Sequence, residues 1–141
     1  KLGFDLGLKE LSADELAYCQ TAVTNWKRLQ AAIMDGVQYR LVSPYQSNHM
    51  AVNYVSRDTD KAVLFAYDIY PRFQEKLMPV RLQGLNPNKL YKVEEINLMP
   101  SVKSALKANG KIYSGDYLMK VGLDVFGTAI TQSHVIELTA Q

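Results

Sequence analysis

The hydrophobic period of the chain changes once, at Gly36, and that change limits what it can fold into. Before it, Leu16, Cys19, Val23, Trp26 and Leu29 or Ile33 recur every three or four residues. That spacing puts them on one face of an α-helix. After Gly36 the apolar residues fall into short runs that alternate every two positions, as strands require. The helix is predicted over Leu11 to Asp35. Ser12 and Glu15 stand three apart and form a capping box, each side chain satisfying the other's backbone N–H, and Leu11 with Leu16 flanks the cap as a hydrophobic staple. Gly36 is expected to take the left-handed conformation that stops a helix, ending it near Met34 or Asp35.

The strands follow from turn chemistry and alternation. Val37 to Ser43 reads as a strand closed by Pro44, which has no N–H for a sheet ladder. Met50 to Arg57 and Lys61 to Tyr70 are two longer strands joined by the polar loop Asp58-Thr59-Asp60. In both, the two alternating sets are mainly apolar, so both belong in the middle of a sheet. Leu77 to Leu82 is predicted as an edge strand because it contains Pro79, and Leu90 to Leu98 as a strand after the turn cluster Gly84 to Lys89. Met99 to Gly110 reads as a connection with Asn109-Gly110 as a turn, Gly115 to Val121 as a short helix, and Ser133 to Thr139 as the last strand. Six or more strands with no helices between them predict a mainly β fold, an antiparallel Greek-key-type β-sandwich preceded by one amphipathic α-helix.

With 141 residues, 48% of them hydrophobic, the chain has the size and apolar content of one globular domain. A formal charge of +2 gives no field that would favour nucleic acid or an anionic surface. No apolar run approaches the roughly 20 residues that cross a bilayer. The single cysteine, Cys19, sits in the helical pattern and reads as a buried thiol. The compartment stays open between cytoplasm and periplasm. The chain opens at Lys1 with no initiator methionine, as a piece of a longer protein or a processed chain would.

A search for chemistry returns little. His49 and His134 lie beside strands, distant in sequence from Cys19, and are expected at the surface or at loop edges. No HExxH, CxxC or EF-hand spacing occurs, so no metal is expected, and the scattered glycines form no phosphate cradle or dinucleotide fingerprint, so no cofactor is expected. Glycosidic cleavage needs two carboxyl groups facing across a sugar. Glu94 and Glu95 are neighbours on a strand and point to opposite faces, while Asp116 and Asp124 flank the short helix as caps or surface charges. Tyr39, Tyr54, Tyr67 and Tyr91 fit strand packing, and Trp26 fits the helix's apolar face.

Several segments carry a resemblance: Gly3-Phe4-Asp5-Leu6, Leu11-Ser12 leading into Glu15-Leu16, and Tyr39-Arg40-Leu41-Val42-Ser43-Pro44-Tyr45. Tyr54-Val55-Ser56, Ala62 to Tyr67, Gly84 to Tyr91, Val93 to Asn97, Tyr113 to Met119 and Val135 to Leu138 continue it. In order and spacing they cover almost the whole chain, which resembles the C-terminal region of glycoside hydrolase family 36 α-galactosidases. The resemblance implies that residues 1–36 are the last strand and helix of an upstream (β/α)8 catalytic barrel, with Gly3 to Leu6 as that strand. Residues 37–141 are then a C-terminal β-sandwich. The family is retaining, and its aspartate nucleophile and aspartate acid/base belong to earlier barrel strands, so no position here inherits a catalytic role. The implied partners are the barrel of the same polypeptide and, for the parent, an α-galactoside. The alternative is that the sandwich holds carbohydrate through tyrosines such as Tyr45, Tyr70 or Tyr113. In the isolated chain the helix's apolar face is expected to dock on the sandwich or on a second copy.

Overall fold

The computed structural model describes residues 7–128, 130 and 132–141. After a 3-10 turn at Leu8–Glu10 come helix α1 (Ala13–Met34) and strands β1 (Val37–Val42), β2 (His49–Val55) and β3 (Lys61–Asp68). Strands β4 (Leu90–Glu95) and β5 (Ile112–Ser114), helix α2 (Gly115–Lys120) and strand β6 (Gln132–Ala140) complete the order. The expected barrel-strand segment Gly3 to Leu6 lies outside the described residues.

Helix α1 starts as its sequence dictates. The Glu15 N–H donates to Ser12 Oγ at 3.3 Å, and the Ser12 N–H and hydroxyl donate to Glu15 Oε2 at 2.8 and 2.7 Å, which holds the Glu15 carboxyl below its ordinary pKa. The other end corrects the expectation for Gly36. The helix closes on Asp35, whose N–H donates to Ala31 O, and Gly36 is not among the glycines with positive φ. Glycine is needed there for space: a Cβ would lie 2.1 Å from Ala32 O and 2.5 Å from Val55 O.

All six strands join one antiparallel sheet in the order β1-β2-β3-β6-β4-β5. The last strand therefore lies between β3 and β4, the long return that Greek-key arrangements use. A bulge at Leu41 interrupts the β1–β2 register between Arg40 and Val42. Directly opposed residues share a face, so the pairings Tyr54↔Val63↔Glu137 and Asn53↔Leu64↔Ile136 separate the sheet's two sides.

One side carries the core. Ala51, Val55, Ala62, Leu64, Ala66, Tyr91, Val93, Ile136 and Leu138 pack there against Val80, Leu82, Leu85, Leu106, Leu118, Leu123 and Val125. This opposing layer is mostly irregular. The predicted strand Leu77 to Leu82 shrinks to the antiparallel bridge Val80↔Leu123, because Pro79 has no N–H to give and the Leu82 N–H goes instead to Leu118 O in α2. Gly122, with φ +89, lets the bridge approach, since a Cβ would sit 2.4 Å from Val80 O. Strand β5 falls between the connection Met99 to Gly110 and the short helix, in residues the sequence leaves unassigned; its three residues are too few to show alternation.

Helix α1 covers the other side. Leu29 and Ala32 are buried there, Asn25 Nδ2 donates to Ile96 O at 3.3 Å, Arg28 pairs with Glu137, and Arg57 Nε donates to Asp35 O at 3.0 Å. The Glu137 hydrogen bond raises the Arg28 pKa against an opposing effect of burial. The hairpin loop after β2 is also tied down: Lys89 Nζ reaches Asp60 Oδ1 at 2.7 Å, and the buried Tyr91 hydroxyl donates to Thr59 O at 2.8 Å.

Replacing Gly36 by alanine is expected to destabilise the chain by about 1–3 kcal/mol, the usual cost of forcing atoms into a filled space. Chemical denaturation measures it, and a neutral result would show that the helix end shifts freely.

Candidate functional site

Two of the titratable side chains that the sheet buries, His49 and Asp68, meet at one end on the core side, where β2 begins, β3 ends and β6 begins. Register brings them together, because His49 lies opposite Asp68 and Asp68 opposite Gln132. Asp68 is fully buried. It accepts from His49 Nδ1 at 2.7 Å, from the Gly127 N–H at 3.0 Å and from Gln132 Nε2 at 2.9 Å. With Nδ1–H directed at Asp68, the other ring nitrogen, also buried, faces Glu75. His49 Nε2 lies 3.3 Å from Glu75 Oε2, in a geometry that makes no hydrogen bond, and Phe126 stacks on the ring at 4.6 Å.

Glu75 joins this group to the loop after β3. It accepts from Asn48 Nδ2 at 3.1 Å and from the Arg72 N–H at 3.3 Å. Burial pushes its pKa up, but the Asn48 and Arg72 hydrogen bonds and the nearby His49 outweigh that and leave it below the ordinary glutamate value. A second chain of contacts starts on β6. His134 Nδ1 donates to Glu95 Oε1 at 2.6 Å, and Glu95 Oε2 accepts from the Ser104 hydroxyl. Ser104 Oγ in turn accepts from the Leu106 N–H at 3.1 Å. Glu95 therefore fastens the long β4–β5 connection to β6.

These contacts correct the expectation for the histidines. His49 is buried and His134 half-buried, because both lie on the core-facing sets of their strands, each paired with a carboxylate. The carboxylates behave as their positions predict. Glu94 pairs with Lys92 on the helix side while Glu95 turns to the core, and Asp116 pairs with Lys120 one helical turn on. Asp116 is not the cap of α2; the Ser114 hydroxyl fills that role by accepting from the Tyr117 N–H at 3.1 Å. Cys19 and Trp26 are partly exposed rather than buried. Among the tyrosines expected to pack in strands, Tyr91 is fully buried but Tyr67 is exposed.

Sequence reading missed Asp68 as an anchor. The signal was available: Asp68 continues the set Ala62, Leu64 and Ala66, and a carboxylate on such a face needs donors brought to it.

The arrangement is suited to holding loops and matches neither of two catalytic geometries. Nucleophile activation needs a base in contact with the nucleophile, but in Ser104–Glu95–His134 the carboxylate stands between hydroxyl and imidazole. Sugar hydrolysis needs open space between two carboxyl groups, but the His49 ring fills the gap between Asp68 and Glu75. Among the described residues no group of three or more His, Cys, Asp or Glu side chains could hold a metal ion, and no helix is long and apolar enough to cross a membrane. A cleft of about 180 Å³ between α1 and the sheet is lined by Trp26, Leu29, Phe65 and Val135 among others, with no carboxylate or imidazole.

Comparison with known proteins returns one family. Its description is glycosyl hydrolase family 36 C-terminal domain, and it matches residues 49–138. "Alpha-galactosidase 1" of Pediococcus pentosaceus is 33% identical over 86% of this chain and 15% of its own length. "Probable alpha-galactosidase G" of Aspergillus terreus is 28% identical over 99% of this chain and 17% of its own. Among solved structures, the family 36 α-galactosidase AgaB from Geobacillus stearothermophilus superposes with a TM-score of 0.76 at 25% identity, covering 94% of this chain and 17% of that one. The chain thus spans about a sixth of the length of the relatives it matches.

Removing the Asp68 carboxylate strands an imidazole, an amide and a backbone N–H in the core. Asp68→Ala is expected to cost about 3 kcal/mol or more, measured by urea denaturation. Glu75 gives a pH signature. Its folded pKa is depressed, so its contribution is present above the unfolded glutamate pKa and is lost as pH falls through the folded value. The stability difference between the wild type and Glu75→Gln should therefore shrink on acidification, and a difference that grew toward low pH would contradict the assignment.

Proposed function

This chain belongs to the glycosyl hydrolase family 36 C-terminal domain family, and from that premise we propose that it is the non-catalytic C-terminal domain of an α-galactosidase. In this reading residues 1–36 close the catalytic barrel and residues 37–141 form the domain that packs on it and stabilises it. The parent hydrolyses terminal α-galactosides with retention, using groups on the preceding part of the polypeptide.

One observation carries the packing role. At about 100° per residue, the apolar stripe of α1 is too wide for the sheet to cover. Leu29 and Ala32 are buried on the sheet, but Leu16 stays 42% exposed and Met34 62% exposed, with Cys19, Val23 and Trp26 only partly covered between them. A two-sided helix of this kind suits the outer ring of a (β/α)8 barrel, where one flank meets barrel strands and neighbouring helices and the other is free to meet the sandwich.

A second reading, in which the sandwich itself holds carbohydrate, is favoured by two exposed rings, Tyr45 and Tyr70. Tyr113 supports it less, because its face is taken by Tyr117 at 5.1 Å. Chemical-shift titration with galactose and raffinose-type sugars tests it, and unmoved Tyr45 and Tyr70 resonances at millimolar sugar remove it.

Leu16→Asp separates the packing role from ordinary folding. In the 141-residue chain, where Leu16 faces solvent, the change should stay within about 0.5 kcal/mol. In the full-length polypeptide it should cost about 2 kcal/mol or more, because a charge would be placed in an apolar contact. Equal effects in the two would sink the packing role. The 141-residue chain should not turn over an aryl α-galactoside; turnover abolished by replacing one of its own carboxylates would overturn the non-catalytic assignment.

A further inference from the structure

We infer that His49 is held as an imidazolium between two carboxylates, and that its charge fastens the segment after β3 to the start of β2. The tie therefore opens as pH rises and the ring loses its second proton.

The hydrogen positions follow by elimination. Asp68 Oδ2 accepts from the Gly127 N–H and from Gln132 Nε2, and Oδ1 faces His49 Nδ1 at 2.7 Å. A proton shared between a carboxylate and an imidazole sits on the imidazole, the stronger base, so Nδ1 has its hydrogen. On the other side of the ring both Glu75 oxygens accept, Oε1 from Asn48 Nδ2 and Oε2 from the Arg72 N–H. Glu75 has no hydrogen to give. His49 Nε2 lies 3.3 Å from Oε2 and is out of reach of solvent. A bare Nε2 would set its lone pair against an anionic oxygen where no water can intervene. A protonated Nε2 turns the same contact into an attraction.

Charge balance points the same way. Among the described residues no Lys or Arg pairs with Asp68 or Glu75. Phe126, which stacks on the ring at 4.6 Å, and Ser47, whose hydroxyl accepts the His49 N–H at 3.2 Å, bring no charge. An imidazolium is then the cation that offsets the two carboxylates, one of them fully buried.

The charge matters to the segment because Glu75 anchors its far end. Glu75 joins it to β2 through Asn48, and the Glu75 N–H closes the turn by donating to Arg72 O at 3.1 Å. Inside that turn Gln74 has φ +60, which residues with a side chain rarely adopt. A turn under such strain relaxes once its anchor is lost. The near end is fixed separately, since Asn48 O accepts from the Ile69 and Tyr70 N–H groups. Opening is therefore confined to residues 71–76. Glu75 loses its charge as pH falls through its depressed folded value and His49 loses its charge as pH rises, so the tie is strongest between the two.

Ring-nitrogen NMR of the 141-residue chain, taken upward from about pH 5 until the ring titrates, tests the charge, and amide hydrogen exchange tests the tie. Both His49 ring nitrogens should hold hydrogen at the acid end. Glu75→Gln should weaken proton binding at His49 several-fold and leave His134, which has its own carboxylate in Glu95, unchanged. Protection of the Arg72 and Glu75 amides, corrected for intrinsic exchange, should fall several-fold as wild-type His49 loses its charge, while Ile69 and Tyr70 stay protected. In Glu75→Gln that step should be absent. A His49 whose Nε2 stays bare throughout, a titration that Glu75→Gln leaves in place, or Arg72 and Glu75 amides indifferent to the charge would each overturn the inference. The first and third are read on the wild type, so the test holds even if Glu75→Gln fails to fold.

Discussion

A strand buried on both sides at its centre needs two covers, and β3 is such a strand. Val63 and Leu64 point to opposite sides of the sheet and neither has any exposure. Burying an aliphatic side chain contributes about 1.5–3 kcal/mol, so each cover is held by contacts of the same order as the whole margin of stability of a domain. On the Leu64 side the cover is the irregular layer around Val80, Leu82 and Leu123. On the Val63 side it is α1, whose Leu29 and Ala32 close over the sheet. The helix is therefore part of the folding unit described here, even though its remaining apolar flank suits a neighbour.

The irregular cover lacks the hydrogen-bond ladder that would position a second regular sheet. Polar side chains position it instead. Asp68 reaches the segment before β6 through Gly127 and Gln132, and His49 with Glu75 reaches the segment after β3. Glu95 holds Ser104, and Asn53 Nδ2 donates to Gln83 O at 2.9 Å. Asp68, His49, Glu95 and Asn53 start from strands, so the sheet dictates where these loops lie.

The helix, the two central strands, the Asp58–Asp60 loop and α2 were legible because periodicity and turn chemistry are local. Ser12, Glu15 and Asn109-Gly110 give the same answer in the sequence and in the structure, where Gly110 has φ +75. What was not legible depends on partners distant in sequence. The burial of His49 follows from its register with Asp68, the space at Gly36 is set by Val55, and the loss of the Leu77 to Leu82 strand follows from the route taken by the Leu82 N–H. The candidate site was hidden for the same reason: its members are ordinary strand and loop residues until the pairing of β2, β3 and β6 brings them together.

The position of β6 also affects how the domain is made. Until Gln132–Ala140 has left the ribosome, β1-β2-β3 and β4-β5 are two separate pieces, each with a bare edge where β6 will sit. Non-local pairing of this kind is slow and leaves unpaired edges open to other chains. A nascent chain stalled after β3 but before Gln132 would carry a finished Ser12–Glu15 cap and a finished β2–β3 hairpin but no joined sheet, and so would keep unpaired edges until β6 was translated.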